Sequence, residues 1–346
     1  MQTQIHGGDI YSREYRIDFS ANINPFGMPE SVKRAAIEGV ERSIHYPDVQ
    51  CRRLLEKLSK KEQVPKEWIL CTNGAAELLF ALCQTLKPKK ALLAAPGFAE
   101  YEQAVKASGA ECVFFYCSKE EKFHLTEDYL DDLTDEIDIL FLCNPNNPTG
   151  TLIDEELLNR ILKKCSEKEI FAVVDECFLD FVREDLQNSQ KLKLRDMKNL
   201  LILKAFTKMY GMPGLRLGYG MCSDESLLSR MRQVLQPWNV SLPAQLAGEA
   251  AISEEEFVKR TRDYVSKERE FLTKEMIALG FQVYDSAVNY LFFEGPKDLY
   301  DFCAGKGILI RDCSNYRGLR TGYYRIAVKT REENRELLRV LESYAL

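Results

Sequence analysis

The sequence lacks several features that would otherwise decide its class. No apolar run approaches the ~20 residues that span a bilayer, so no membrane segment is expected. The stretch Met1-Gln2-Thr3-Gln4-Ile5-His6 has neither the basic start nor the apolar core of a secretory signal, and the chain is expected to be cytoplasmic. Long blocks of like charge are missing and the net charge is −6, which excludes a binder held on nucleic-acid phosphates. An anionic ligand would therefore need a local cationic pocket rather than a global positive field. The 11 cysteines include no Cys-x-x-Cys pair and are odd in number, so neither a metal site nor a disulfide framework is expected. Cys71, Cys83, Cys143 and Cys177 sit in apolar runs, where a reduced thiol behaves as a small buried hydrophobe.

What is present is ordinary globular chemistry, 45% hydrophobic and 29% charged over 346 residues. Single cores stop growing near ~250–300 residues, so one large domain or two modest ones are expected. Short apolar runs at 68–71, 91–95, 112–116, 137–142, 171–174, 200–203 and 217–221 predict seven strands. Helical patterns over 75–86, 99–108 and 155–167 lie between them. Near-continuous apolar strands joined by helices define an α/β fold, a mostly parallel sheet sandwiched by helices. After Pro237 the pattern changes to a helix from about 243, a charged helix over 254–279 and shorter elements ending with 331–344. The expected division is an arm and helix at 1–45 serving the small domain and a dimer, a large domain at 46–236, and a smaller α+β domain at 237–346.

In open parallel sheets ligands bind beyond the carboxyl ends of the strands, and the polar punctuation of this chain falls there. Thr72-Asn73-Gly74-Ala75-Ala76-Glu77 opens a helix; it is either a tight turn or a cradle of backbone N–H groups for an anion. Cys143-Asn144-Pro145-Asn146-Asn147-Pro148-Thr149-Gly150 builds a rigid turn with more polar amides than a turn requires. Asp175-Glu176 follows a buried strand, as a cap or as a working carboxylate. Most specific is Lys208, just past an apolar strand and followed by Gly211-Met212-Pro213-Gly214-Leu215-Arg216-Leu217-Gly218. Packing does not explain that arrangement, whereas a buried lysine with a shifted pKa suits a Schiff base.

In this order and spacing, these segments resemble the class I/II aminotransferases of pyridoxal-phosphate (PLP) fold type I, over essentially the whole chain. The resemblance implies PLP as cofactor, with Lys208 carrying it as a Schiff base and Asp175 keeping its pyridine nitrogen protonated. It further implies that Asn147 binds the ring's phenolic oxygen and Phe98 stacks on the ring. The cofactor phosphate would be held by the amides of Gly74, Ala75 and Ala76 with Thr207 and Arg216. Tyr46, in His45-Tyr46-Pro47-Asp48, resembles the tyrosine that reaches a neighbouring subunit's site, which implies a homodimer. Two positions depart from the family: Phe178 stands where a tyrosine is usual, and Ala205 where serine or threonine is frequent.

The chain ends narrow the resemblance. His6-Gly7-Gly8-Asp9 with Asp18-Phe19-Ser20-Ala21-Asn22-Ile23-Asn24-Pro25-Phe26-Gly27 resembles the L-threonine-O-3-phosphate decarboxylases of cobalamin biosynthesis. So does Gly307-Ile308-Leu309-Ile310-Arg311-Asp312-Cys313-Ser314-Asn315-Tyr316, followed by Tyr324-Arg325. Histidinol-phosphate aminotransferases share the arginines, but usually carry an acidic residue where this chain has Ile23. The resemblance implies a phosphorylated amino acid as substrate, its carboxylate on Arg325 and its phosphate on Arg311, with His6 and Asn24 close by. Without it, both arginines also fit surface cations and His6 an untethered terminus. Transamination and O-phosphoserine decarboxylation stay open, because the residues alone do not choose the bond to be broken. A PLP-sensing module without catalysis is disfavoured by intact Lys208, Asp175 and Asn147.

Overall fold

The computed structural model describes residues 6–12 and 14–345. Its first half runs β1 (Ile17–Asp18), α1 (Glu30–Glu41), α2 (Arg52–Glu62), β2 (Ile69–Thr72), α3 (Ala75–Leu86), β3 (Lys90–Ala95), α4 (Ala99–Ala107), β4 (Glu111–Tyr116) and β5 (Ile139–Cys143). There follow α5 (Glu155–Glu167), β6 (Phe171–Asp175), β7 (Leu200–Ala205), β8 (Gly218–Met221), α6 (Glu225–Val234), α7 (Leu242–Ala251) and α8 (Glu255–Ala278). The chain closes with β9 (Gln282–Val283), β10 (Tyr290–Glu294), α9 (Leu299–Gly305), β11 (Ile308–Leu309), β12 (Arg311–Asp312), β13 (Tyr323–Ala327) and α10 (Arg331–Ala345).

All seven expected strands join one sheet, ordered β2-β8-β7-β6-β5-β3-β4. Six run in one direction, and β8 alone is reversed, antiparallel to both its neighbours. The central strands carry no polar alternation because both faces are covered. Leu140, Leu142, Ala172, Val174, Leu200 and Ile202 enter one core, and Ile139, Phe141, Phe171, Val173, Leu201 and Leu203 the other. Helix α5 shows how local sequence feeds this packing. Asp154 caps it, accepting the Leu157 N–H at 3.0 Å, and Leu157, Leu158, Ile161, Leu162 and Cys165 form its buried stripe. The 11 cysteines are free thiols and none is exposed.

The second part of the chain builds a small antiparallel sheet, β12-β13-β10-β9. The N-terminal arm joins it, since β1 pairs parallel with β11. Helix α1 packs on α7 so closely that a Cβ on Gly39 would lie 2.5 Å from Pro243 Cα. Among the described residues no helix is long and apolar enough to cross a membrane.

Beneath the carboxyl end of β7 lies a buried ionic cluster. Lys204 Nζ sits 3.7 Å from Glu62, 3.9 Å from Asp180 and 4.0 Å from Glu176. Burial opposes the charge of Lys204, but the three carboxylates outweigh it and raise its pKa. Burial would likewise raise Glu62, yet Lys204, Lys191 and the Tyr219 hydroxyl hold it down at about 2. Removing one member strands the others, which costs about 3–5 kcal/mol. Lys204→Met is therefore expected to lower unfolding stability at pH 7 by about that amount in a denaturant titration. A loss below about 1 kcal/mol would show that the cluster is solvated rather than mutually dependent. Because Glu62 is depressed from 4.5, its contribution is complete above that pH and is lost as pH falls through about 2.

Candidate active site

The carboxyl ends of β5, β6 and β7 open into a cavity of about 200 Å³ between the large sheet and the small one. Asp175 is the last residue of β6, Asn147 follows β5, and Lys208 follows β7. All three line the cavity, as do Ala75, Ala76, Phe98, Thr207, Arg216, Arg311, Arg325 and His6.

At one end, α3 begins without a side-chain cap, so its first N–H groups are available to an anion. Gly74 has φ +79°, and a Cβ there would fall 2.4 Å from Arg216 Nη2. Only glycine lets the guanidinium lie this close to the helix start. Arg216 itself adopts the left-handed region, with φ +56°, a conformation that costs a non-glycine residue about 1 kcal/mol or more and gathers at functional sites.

Asp175 is buried, and burial raises its pKa. Its Oδ2 accepts the Tyr101 hydroxyl at 2.6 Å and its Oδ1 accepts the Cys177 N–H at 2.9 Å. No lysine or arginine forms an ion pair with it among the described residues. Lys208 Nζ lies 6.0 Å from the centre of the Phe178 ring. Burial, then the nearby Arg325 charge, lower its pKa to about 8. A partly neutral amine at the end of β7 and an unpaired carboxylate at the end of β6 thus face one cavity.

The small sheet supplies the opposite wall. Arg325, on β13, donates through Nη1 to Asn147 Oδ1 and through Nη2 to Ser20 O at 2.8 Å. Its buried Nε has no hydrogen-bond partner among the described residues. Arg311, on β12, donates to Asn315 Oδ1 at 2.7 Å and to the Asp312 carbonyl. Both guanidiniums are buried, so neither is a surface cation. Tyr316 stands between them, its ring 5.2 Å below the Arg311 guanidinium and its hydroxyl 3.4 Å from both Asn147 Oδ1 and Arg325 Nη1. His6 reaches the cavity from the arm, with Nε2 3.2 Å from Glu100.

Three expected site residues lie elsewhere. Gly74 does not line the cavity, and its N–H is already donated to Thr72 O at 2.8 Å, which leaves the amides of Ala75 and Ala76. Asn24 is buried away from the cavity: its amide donates to Met209 O at 2.6 Å and to Thr261, and its backbone N–H to Lys208 O at 3.1 Å. It braces the backbone that carries Lys208 instead of meeting a substrate. Tyr46 is 79% exposed and stacks on Trp238 at 4.6 Å, outside this chain's own cavity. The sequence assigns no role to Tyr101, Tyr316 or Glu100. The available signals are Tyr101's position one helical turn after Phe98 and Tyr316's place at the end of the Gly307-to-Tyr316 segment.

These residues fit PLP. The uncapped α3 start with Arg216 suits its phosphate, unpaired Asp175 a protonated ring nitrogen, and Lys208 its aldehyde. Residues 15–341 match the family described as Aminotransferase class I and II, and the chain belongs to that family as a PLP-dependent enzyme. It is 38% identical to the threonine-phosphate decarboxylase of Salmonella typhimurium, over 98% of this chain and 96% of that protein. Among solved structures, the histidinol-phosphate aminotransferase of Clostridium acetobutylicum superposes with a TM-score of 0.89 at 29% identity, covering 95% of this chain and 99% of that one. The L-threonine-O-3-phosphate decarboxylase of Porphyromonas gingivalis gives 0.84 at 26% identity, with the same coverages.

The neutral amine of Lys208 is the form that captures a carbonyl. Covalent cofactor capture by cofactor-free protein should therefore speed up with rising pH through about 8, and Arg325→Gln should move that midpoint upward. A midpoint at the ordinary lysine value of 10.5 would contradict the assignment. Phe178 and Ala205 both line the cavity, so restoring donors there should tighten cofactor retention. Phe178→Tyr and Ala205→Ser are each expected to lower the cofactor Kd roughly fivefold, for a hydrogen bond worth ~1 kcal/mol. An unchanged loss of cofactor on dialysis for both variants would refute this.

Proposed function

We propose that this enzyme decarboxylates L-threonine O-3-phosphate to (R)-1-amino-2-propanol O-phosphate, a step that serves cobalamin biosynthesis. The observation that carries the reading is a pair of buried arginines, Arg311 and Arg325, on one wall of a cavity whose other wall holds Lys208. Guanidinium forks match planar carboxylates and phosphates in two-point contacts. Two such forks suit a substrate with an anion at each end, and the similarity to named threonine-phosphate decarboxylases points the same way.

When bound, PLP supplies an electron sink for the pair released at the α-carbon. The protein's part is placement and proton transfer. Arg325 binds the substrate carboxylate and Arg311 the phosphate, which fixes how the substrate tilts over the cofactor face. Asp175 holds a positive charge at the ring nitrogen, supported by Tyr101. The apolar walls of Phe98 and Phe178 keep bulk water from the reacting carbon. Lys208 Nζ then returns a proton to the α-carbon after carbon dioxide leaves. Its pKa of about 8 lies near the working pH, as an efficient proton donor requires.

A second reading, transamination of histidinol phosphate or another amino acid, is favoured by the similarity to histidinol-phosphate aminotransferase. In it Lys208 removes the α-proton instead. O-Phosphoserine as the decarboxylated substrate differs by one methyl group, worth only ~1–3 kcal/mol in a pocket.

We also infer a homodimer in which Tyr46 reaches the neighbouring site. Ile37, Val40, Ile44, Tyr46, Val49 and Trp238 form an exposed apolar patch, beside a groove of about 970 Å³ running along β2. The arm at 1–45 is inferred to serve the unit at 237–346, since β1 pairs with β11 and α1 packs on α7, while α7 is in turn tied to 46–236 through Gln245 to Asp48 O and Lys57 to Glu249 O.

PLP-saturated protein given O-phospho-L-threonine is expected to release carbon dioxide with no 2-oxoglutarate present. Arg311→Gln should raise KM at least tenfold, for a lost charged hydrogen bond worth ~1.5–3 kcal/mol. Glutamate formed only with the keto acid would establish the aminotransferase reading instead.

A further inference from the structure

Helix α4 carries a carboxylate that the chemistry above does not use. Glu100 lies in its first turn, with a side chain only 15% exposed. One oxygen, Oε1, meets His6 Nε2 at 3.2 Å, while Oε2 is fully enclosed and accepts no hydrogen bond among the described residues. Burial raises the Glu100 pKa, and the positive charges of His6, Lys208 and Arg311 act against that rise. A costly, half-satisfied carboxylate thus stands at the edge of the cavity, facing the arm.

The other contacts of the arm show what this pairing adds. Gly8 N–H donates to Ser20 Oγ at 2.7 Å, and Ser20 Oγ donates to Asp18 Oδ1 at 2.6 Å. A Cβ on Gly7 would fall 2.1 Å from Ser20 O and 3.3 Å from Arg325 Nη2, so only glycine lets the chain pass here. These contacts fasten the arm to β1 and, through β11, to the small-sheet side. The His6–Glu100 pair is different in kind, because it crosses from the arm to α4, a helix packed on the large sheet. A second tie from α4, Glu102 to Arg317 at 2.7 Å, crosses on the exposed flank outside the cavity.

We propose that Glu100 is a positioning residue which holds His6, and with it residues 6–8, across the cavity mouth beside Arg311, so that His6 is in place for the substrate phosphate. The part concerning phosphate rests on the proposed function; the part concerning the arm does not. Glu100 touches no reacting atom and acts through His6.

Three variants of the PLP-loaded enzyme test this: Glu100→Gln, which keeps the shape, His6→Ala, and Glu102→Gln, which cuts only the outer tie. Hydrogen exchange at the Gly8 amide reads the arm directly. It should accelerate in Glu100→Gln and stay at the wild-type rate in Glu102→Gln. With O-phospho-L-threonine, Glu100→Gln should raise KM about tenfold with kcat changed less than about threefold. Adding Glu100→Gln to His6→Ala should have little further effect, since coupled residues are not additive. Unchanged Gly8 exchange in Glu100→Gln would overturn the proposal, as would additive effects of the two variants or an equal KM rise in Glu102→Gln. If wild-type enzyme ignores phosphothreonine while Gly8 exchange responds as stated, the proposed substrate fails and the Glu100 tie stands.

Discussion

Arg325 is the point at which three separate parts of the chain meet. It rises from β13 in the small sheet, holds the carbonyl of Ser20 in the arm, and holds the side chain of Asn147 beyond β5 of the large sheet. Its guanidinium also lies 5.5 Å from the centre of the Tyr290 ring, and the Tyr290 hydroxyl donates to Asn146 O. A buried cation is tolerated only when paired or hydrogen-bonded, so its partners are fixed in place with it. The arm cannot drift while Ser20 is needed as acceptor. Asn147 presents its oxygen to Arg325. Among the described residues the Arg325 Nε is left without a hydrogen-bond partner.

The same constraint organises the charges of the cavity. Lys208, Arg216, Arg311 and Arg325 line it in a chain whose net charge is −6. A focused positive field inside an acidic protein favours small anions without attracting polyanions. Arg325 also lowers the pKa of Lys208, after burial itself, and so helps to free the amine. Asp175 and Glu100 are the carboxylates set against this field, and burial raises the pKa of each. Asp175 faces the cavity, whereas Glu100 meets His6 of the arm.

The large sheet was legible because its central strands are buried on both faces and read as unbroken apolar runs. Their polar ends identified Lys208, Asp175 and Asn147, since strand ends and chemistry coincide in such sheets. Helix α2 escaped because only Leu54, Leu58 and Glu62 are buried in a strongly charged stretch. The reversed direction of β8 left no mark in composition. Glu100, Tyr101 and Tyr316 acquire their roles only through tertiary contacts, with partners up to 169 positions away. Asn24 was read as a ligand of the substrate because it lies in the arm motif. Its amide is instead consumed by Met209 and Thr261, bonds that no local pattern announces.

The central claim is that one bond to the α-carbon is broken, the one to the carboxylate, and that Lys208 refills the vacated position. Turnover of O-phospho-L-threonine in deuterium oxide tests it most directly. The account predicts aminopropanol phosphate carrying one deuterium, in a single configuration, at the carbon that lost carbon dioxide. Unreacted substrate should keep its α-hydrogen. Deuterium washing into recovered substrate, with no decarboxylated product, would mean that the α-proton is removed instead, and the account would be wrong.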